Sequence, residues 1–252
     1  MTDGDRKFAF VTGTSSGVGA ATARALVARG WHVAGLARRD APFVDARYEH
    51  IVADLGDLVT LRQTVAPRIV ERLEETGWSR VGLVNNAALP GLLGRIEQMD
   101  LDAMPEVLTV NVIAPMWAMG LFTRPAPESA PLRIVNVSTG AATRGFAGLG
   151  AYGASKAALR MAGMVLAAEL DVSSEHRSQD VRILSYEPGT VDTPMQAHAR
   201  TRSRETLPTV EMFLGFAARG SLVPPTEPAS EIVEFLESGS GDVFQERRLH
   251  AR

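Results

Sequence analysis

The amino-acid sequence predicts an α/β fold built as a single domain: a doubly wound parallel sheet of about seven strands with helices on both faces. Three observations carry that expectation. Short apolar runs such as Phe8–Val11, Val81–Val84 and Leu132–Val137 fit strands buried on both faces, as parallel strands are. These runs alternate with stretches of helical periodicity. The first of them empties into a glycine-rich turn that opens a helix. A chain of 252 residues with 45% hydrophobic content lies within the range in which α/β folds run as one domain, and neither repeats nor a linker divides it.

Phe8–Val11 is the first strand, and Thr12-Gly13-Thr14-Ser15-Ser16-Gly17-Val18-Gly19 is the turn after it. Small residues there let the backbone approach a pyrophosphate, and the helix that follows, Ala20 to Arg29 with Gly30 as its stop, offers free N–H groups and a partial positive charge. The second strand, Trp31 to Leu36, ends at Ala37-Arg38-Arg39. An acidic residue at this point would hold a ribose 2′-hydroxyl, whereas an arginine would hold a 2′-phosphate. Only Asp40 to Glu49 separates this strand from the next, so the intervening helix is shortened or absent. The third strand, Ile51 to Ala53, ends in Asp54-Leu55. Helix signals run from Asp57 to about Thr76 with a Gly77 stop, and the fourth strand, Val81–Val84, leads to Asn85-Asn86-Ala87-Ala88.

Leu101 to about Phe122 reads as a long helix interrupted near Asn111, because Pro115 lacks the N–H that would bond the Asn111 carbonyl. That distortion would leave the carbonyl for a water, while an asparagine side chain within a helix points outward or bonds locally. The fifth strand, Leu132–Val137, leads to Ser138-Thr139-Gly140. Ala151-Tyr152-Gly153-Ala154-Ser155-Lys156 then opens a helix to Leu170, with the tyrosine and lysine one turn apart on one face. An ammonium beside a phenol favours the phenolate and lowers the phenol pKa, which suits proton donation to a developing alkoxide. Only Lys7 and Lys156 among the 26 basic residues are lysines, so a lysine here answers a need that a planar guanidinium does not meet.

The sixth strand, Val181 to Tyr186, precedes Glu187-Pro188-Gly189-Thr190-Val191-Asp192-Thr193-Pro194-Met195-Gln196, a turn at the sheet edge where such folds bind ligands. Residues 197–225 are arginine-rich and then semi-apolar around Met212-Phe213-Leu214-Gly215-Phe216, which suits either plain core or a substrate lid. Pro228 to Ser238 reads as the last helix and Asp242 to Phe244 as the last strand.

A formal net charge of −3 with no basic run gives no reason to expect nucleic acid as a partner. With no cysteine, disulfides, thiol catalysis and cysteine-ligated metals are excluded. The histidines His32, His50, His176, His198 and His250 lack ligand spacing and read as surface or boundary residues, so no metal site is expected. The polar N-terminus carries no apolar signal region, and no apolar run approaches the ~18 residues that cross a bilayer, so a cytoplasmic protein with no membrane partner is expected.

Taken in their order, the loop Thr12 to Gly19, Asn85-Asn86-Ala87-Ala88, Asn111, Ser138-Thr139, Tyr152-x-x-x-Lys156 and Pro188-Gly189 resemble the motifs of the short-chain dehydrogenase/reductase family. Ala88 replaces a glycine of the family pattern. The resemblance implies a Rossmann fold and an enzyme that moves hydride between a small-molecule carbonyl and NADP(H). It implies a cofactor site of Gly13, Ser15, Ser16, Gly17, Val18, Gly19, Arg38, Arg39, Asp54, Leu55, Asn86, Ala87, Tyr152, Lys156, Pro188, Val191 and Thr193. Ala37 where NAD-users carry an aspartate, followed by Arg38, is similar to the NADP pattern. The implied catalytic residues are Asn111, Tyr152, Lys156 and a hydroxyl from Thr139, 13 positions before Tyr152, or from its neighbour Ser138. In that scheme Tyr152 protonates the oxygen, Lys156 tunes it, and water on Asn111 resupplies the proton.

Within the family, Gly94-Arg-Ile-Glu97, the Gly-Ala-Ala after Thr139 and the Pro-Gly-Thr-Val-Asp-Thr-Pro-Met-Gln run look like the branch of sepiapterin reductase and benzil reductase. Reduction of a ketone or 1,2-diketone is the expectation. Other short-chain alcohol or 3-oxoacyl-thioester oxidoreductases, or a catalytically silent NADP-binding sensor, are the alternatives. The resemblance also implies a homodimer through the two long helices.

Overall fold

The computed structural model describes residues 6–91, 93–124, 130–172, 179–238 and 241–249; His176 and His250 lie outside them. β1 (Arg6–Thr12) leads into α1 (Gly17–Ala28), β2 (Trp31–Ala37) and β3 (Tyr48–Val52). α2 (Leu58–Thr60), a π-turn (Leu61–Val65) and α3 (Ala66–Glu74) form one bent rod before β4 (Trp78–Asn85). A second rod of α4 (Met104–Leu108), a π-turn (Thr109–Ile113) and α5 (Ala114–Thr123) precedes β5 (Leu132–Val137). α6 (Gly150–Val172), β6 (Val181–Glu187), α7 (Pro194–Arg200), α8 (Val210–Ala218), α9 (Thr226–Glu237) and β7 (Phe244–Arg248) complete the order.

The seven strands form one parallel sheet in the order β3-β2-β1-β4-β5-β6-β7. Because strand side chains alternate, neighbouring residues feed two different cores. Phe8 and Phe10 face the layer of α3, α5 and α6, with Ile69, Phe122 and Leu159. Ala9 and Val11 face the layer of α1 and α9, with Leu26, Ile232 and Phe235. The order in which strands are added across the sheet reverses between β1 and β4, so the loops at their C-terminal ends diverge and leave a crevice.

Both bent rods widen by one residue immediately ahead of an Ala-Pro pair. Ala66 N–H bonds to Leu61 O and Ala114 N–H to Thr109 O, reaching back five residues each time. A proline ring in a regular helix clashes with the carbonyl four residues earlier, and a π-turn relieves that clash. The interruption expected near Asn111 is therefore present, and Pro67 produces a second one that the periodicity did not announce.

Two edge strands differ from their expected limits. β3 starts at Tyr48, ahead of the apolar run at Ile51, and β7 spans Phe244–Arg248 instead of Asp242–Phe244. Each lies at a sheet edge, where polar residues such as Gln245, Glu246, Arg247 and Arg248 complete the ladder and discourage further pairing. Residues 38–47 form no helix. The rod Met104–Thr123 is long and apolar enough to cross a bilayer, a correction to the reading of apolar runs; more than half of it is buried here, packed on the sheet through Val110, Ala118 and Phe122.

Candidate active site

A cleft of about 1460 Å³ opens at the C-terminal ends of the strands. Its floor begins with the turn after β1. Gly13 (φ +79°) and Gly17 (φ +56°) adopt backbone that favours glycine, and a Cβ on Gly13 would stand 2.7 Å from Asn86 Nδ2. A Cβ on Gly19 would collide with the Gly13 carbonyl, so α1 can approach the loop only with glycine there. Gly19 therefore packs behind the loop and does not line the cleft, whereas Gly13, Ser15, Ser16, Gly17 and Val18 do. Ser16 makes no side-chain cap on α1, so its hydroxyl does not occupy the first N–H groups of that helix, whose opening residues Gly17 and Val18 line the cleft.

Thr12 closes this floor from beneath. Its hydroxyl accepts from the N–H groups of Asn86 (3.0 Å) and Ala87 (3.1 Å) and donates to Val84 O (3.4 Å), and Asn86 Nδ2 donates to Thr12 O (2.9 Å). The ends of β1 and β4 are thus tied together where they diverge, which presents Asn86 and Ala87 to the cleft. Arg38, Arg39, Asp54 and Leu55 line one end. Arg38 Nη1 stands 3.5 Å from Asp54 Oδ2, with both side chains well exposed. Asp54 Oδ1 also accepts from Gly56 N at 2.8 Å, and Leu55 belongs mainly to the core. Pro188, Val191 and Thr193 line the opposite wall. Thr193 caps α7 through a bond from Gln196 N (3.3 Å).

Tyr152 and Lys156, one turn apart on α6, meet Ser138 and Thr139 in the middle of the cleft. Lys156 is buried, its Nζ donating to Val137 O at 2.8 Å and lying 6.0 Å from the centre of the Tyr152 ring. Burial pushes the Tyr152 phenol up to about 12 and the Lys156 ammonium down to about 8. The expected lowering of the phenol by its neighbour is overturned in this state. The ammonium directs its bond to a main-chain carbonyl, and desolvation moves both groups toward their neutral forms. Thr139 Oγ1 accepts from Ala141 N (3.3 Å), which caps a short 3₁₀ turn and leaves the hydroxyl proton to donate.

Asn111 departs from expectation in a second way. It is fully buried outside the cleft lining, and its side chain neither points outward nor bonds within its own helix. Oδ1 accepts from Leu89 N and Nδ2 donates to Leu89 O, both at 2.8 Å, and Nδ2 also reaches Ser155 Oγ at 3.0 Å. Ser155 Oγ in turn donates to Tyr152 O at 2.8 Å. The π-turn presents this amide inward, and one side chain then holds the loop after β4 against the start of α6.

The cleft lining also includes the apolar side chains of Leu89, Leu93, Phe146, Leu149, Met212 and Phe213, with Arg144 and Gln196 among its polar members. Residues 197–225 contribute in two ways. Ala199, Leu207 and Val210 pack with Leu93 into a small core of their own, against which Phe213 also packs, and Ala199, Met212, Phe213 and Phe216 line the cleft. Gln196 Nε2 donates to Phe213 O (3.3 Å), joining α7 to α8. His198 also reaches the cleft, and His32 packs edge-on to Trp78 on the far side of the domain. Among the described residues no three His, Asp or Glu side chains gather as a metal site would require.

A short chain dehydrogenase family model matches residues 7–204, which spans the glycine loop, the Tyr152–Lys156 pair and the wall at Thr193. This chain belongs to the short-chain dehydrogenase family. It is an oxidoreductase, and the family works with a nicotinamide cofactor. A benzil reductase ((S)-benzoin forming) of Bacillus cereus is 29% identical over 92% of this chain and 94% of its own. The sepiapterin reductase of Bos taurus is 34% identical over 76% and 70% respectively. A short chain dehydrogenase from Burkholderia cenocepacia, solved in complex with NADP, superimposes with a TM-score of 0.73 at 26% identity, covering 98% and 96% of the two chains.

This short-chain dehydrogenase also uses residues that its motifs did not single out. Thr12 and Ser155 stand inside recognised motifs, and Asn85 bonds Asn136 (Nδ2 to Oδ1, 2.9 Å) between two buried strand ends. A usable signal did exist, since all four asparagines of the chain stand in or beside motifs. What each one bonds depends on contacts between distant segments.

Proposed function

We propose that this enzyme is an NADPH-dependent carbonyl reductase acting on ketones and 1,2-diketones. The observation that carries the reading is the Tyr152–Lys156 pair, with the Thr139 hydroxyl, in a cleft whose lining includes the apolar side chains of Leu89, Phe146 and Phe213. Such side chains suit a bulky, uncharged carbonyl compound, and the similarity to benzil reductases points the same way. The glycine cradle and the open N-terminus of α1 fit a pyrophosphate, and Arg38 and Arg39 on the rim beyond Ala37 fit a 2′-phosphate. When bound there, a reduced nicotinamide supplies the hydride.

The residues of the chain do the remainder. Tyr152 and Thr139 donate hydrogen bonds to the substrate oxygen and fix its carbonyl carbon in place; Ser138 is the neighbouring hydroxyl. Tyr152 then gives its proton as negative charge develops on that oxygen. An alkoxide is a stronger base than a phenolate, so the transfer runs downhill even from a phenol held at about 12. Lys156 places positive charge behind the phenolate that remains. Proton resupply runs through water on the main-chain carbonyl of Asn111, which Pro115 deprives of its usual donor. Asn111 thus acts through its backbone, its side chain being the clamp on Leu89. Residues 197–225, which bring Met212, Phe213 and Phe216 to the cleft, form the lid on the substrate side.

Benzil and a panel of monoketones, followed by loss of reduced-nicotinamide absorbance, test the assignment. Turnover with benzil and NADPH is the expected result, and tight NADPH binding without oxidation across the panel would replace the enzyme by a sensor. The same assay has a pH signature. Lys156 is charged below about 8 and neutral above it, so kcat/KM for NADPH should hold at lower pH and fall as pH rises through about 8. A profile flat to pH ~10 would remove the ammonium from the scheme.

The enzyme acts as a homodimer through its two long helical rods. Ile113 and Met116 on one and Met161 and Val165 on α6 are apolar and half-exposed at helical spacing, a face that favours burial against a second copy. Met161→Arg should yield monomers in sedimentation; a wild-type chain already monomeric would reject the interface.

A further inference from the structure

Within the cofactor turn, Thr14 faces away from the cleft. Thr14 is fully buried, and it is absent from the cleft lining although both neighbours, Gly13 and Ser15, belong to it. Its hydroxyl accepts from the Tyr48 phenol at 2.8 Å. Tyr48 opens β3, two strands away from the turn, and reaches Thr14 by crossing the backbone of β2 at Gly35, where a Cβ would collide with the phenol oxygen. His50 Nδ1 lies 2.9 Å from the same phenol oxygen. On the other side the Tyr48 ring packs against Phe43, with centroids 4.6 Å apart, and Arg24 of α1 covers Phe43 at 5.3 Å while donating to Pro42 O.

These contacts stand where the missing helix between β2 and β3 would have been. The segment 38–47 carries Arg38 and Arg39 at its start, and Phe43 and Tyr48 tie down its remainder. One phenol is therefore bonded to the phosphate turn and, through its ring, packed against the segment that bears the rim arginines. We propose that Tyr48 is a positioning residue for the cofactor, holding the Thr14 turn and the Arg38–Arg39 segment in register so that pyrophosphate and 2′-phosphate are met together. The inference rests on the NADPH reading given above.

The test is a fluorescence titration of NADPH against the full chain. Tyr48→Phe keeps the ring on Phe43 and removes only the hydroxyl. It should raise the NADPH Kd about 10-fold, the scale of one hydrogen bond, with KM for NADPH rising more than kcat falls. Thr14→Val should raise the Kd likewise, and the double variant should be no worse than Tyr48→Phe alone, because that change already removes the bond between the two. Tyr186→Phe removes a tyrosine bond to Glu231 on α9 (2.9 Å), away from the turn, and should lower thermal stability without moving the NADPH Kd. A wild-type chain that does not bind NADPH would overturn the cofactor assignment itself. Wild-type binding with unchanged affinity in Tyr48→Phe, or additive losses in the double variant, would overturn the tie alone.

Discussion

Tyr152→Phe is expected to lower kcat/KM for ketone reduction by about 1,000-fold, within the range that a positioned general acid contributes, and to move NADPH affinity far less. Phenylalanine fills the same space on α6, so the cleft keeps its shape and loses one proton and one hydrogen-bond donor. Thr139 still donates to the substrate oxygen, and the residual rate measures what it does alone. Burial sharpens the expectation. With the phenol pushed up to about 12, Tyr152 keeps its proton throughout the neutral range and is available as an acid in every molecule. Single-turnover measurements with benzil should show the loss in the chemical step. Retained turnover in the variant would mean that another group protonates the oxygen, and the assignment of chemistry to this pair would be withdrawn.

Arg38→Asp should reverse cofactor preference, lowering kcat/KM with NADPH by about 100-fold and raising that with NADH. Two effects combine in one substitution: a charge-assisted bond to the 2′-phosphate is lost, at about 1.5–3 kcal/mol, and a carboxylate is placed where that phosphate would stand. The present contact between Arg38 and Asp54 does not oppose recruitment. At 3.5 Å, with side chains 59% and 42% exposed, it contributes at most about 1 kcal/mol, so the guanidinium is available to a phosphate. Steady-state kinetics with both cofactors decide the matter. Unchanged preference would remove Arg38 from the account and leave Arg39, on the same rim, as the residue to test by Arg39→Ala.

Much of the fold was legible because the signals are local. Apolar runs of strand length between glycine stops marked the central strands closely, and Leu132–Val137 coincides with β5 residue for residue. The edge strands were legible only in part. β7 is written Phe-Gln-Glu-Arg-Arg, and a strand that pairs on one side and faces water on the other carries no apolar pattern. The proline interruption near Asn111 followed from the missing N–H of Pro115. The direction of its side chain did not, because Leu89 and Ser155, its partners, are 22 and 44 residues away. Tyr48 was passed over for the same reason: no short window shows that Gly35 opens a path from β3 to Thr14.

Local signals in the sequence set the succession of strands and helices along the chain, the glycine turn after β1, and the one-turn spacing of Tyr152 and Lys156, all of which depend on backbone geometry within a few residues. Only the tertiary structure decided which way the electrostatics of that pair run, since Lys156 gives its proton bond to Val137 O and burial governs both ionisations. It decided equally that the Asn111 amide is a clamp and that Leu89, Phe146 and Phe213, from distant segments, line one cleft. Desolvation and long-range contact arise from the packed whole, so no stretch of chain carries them alone.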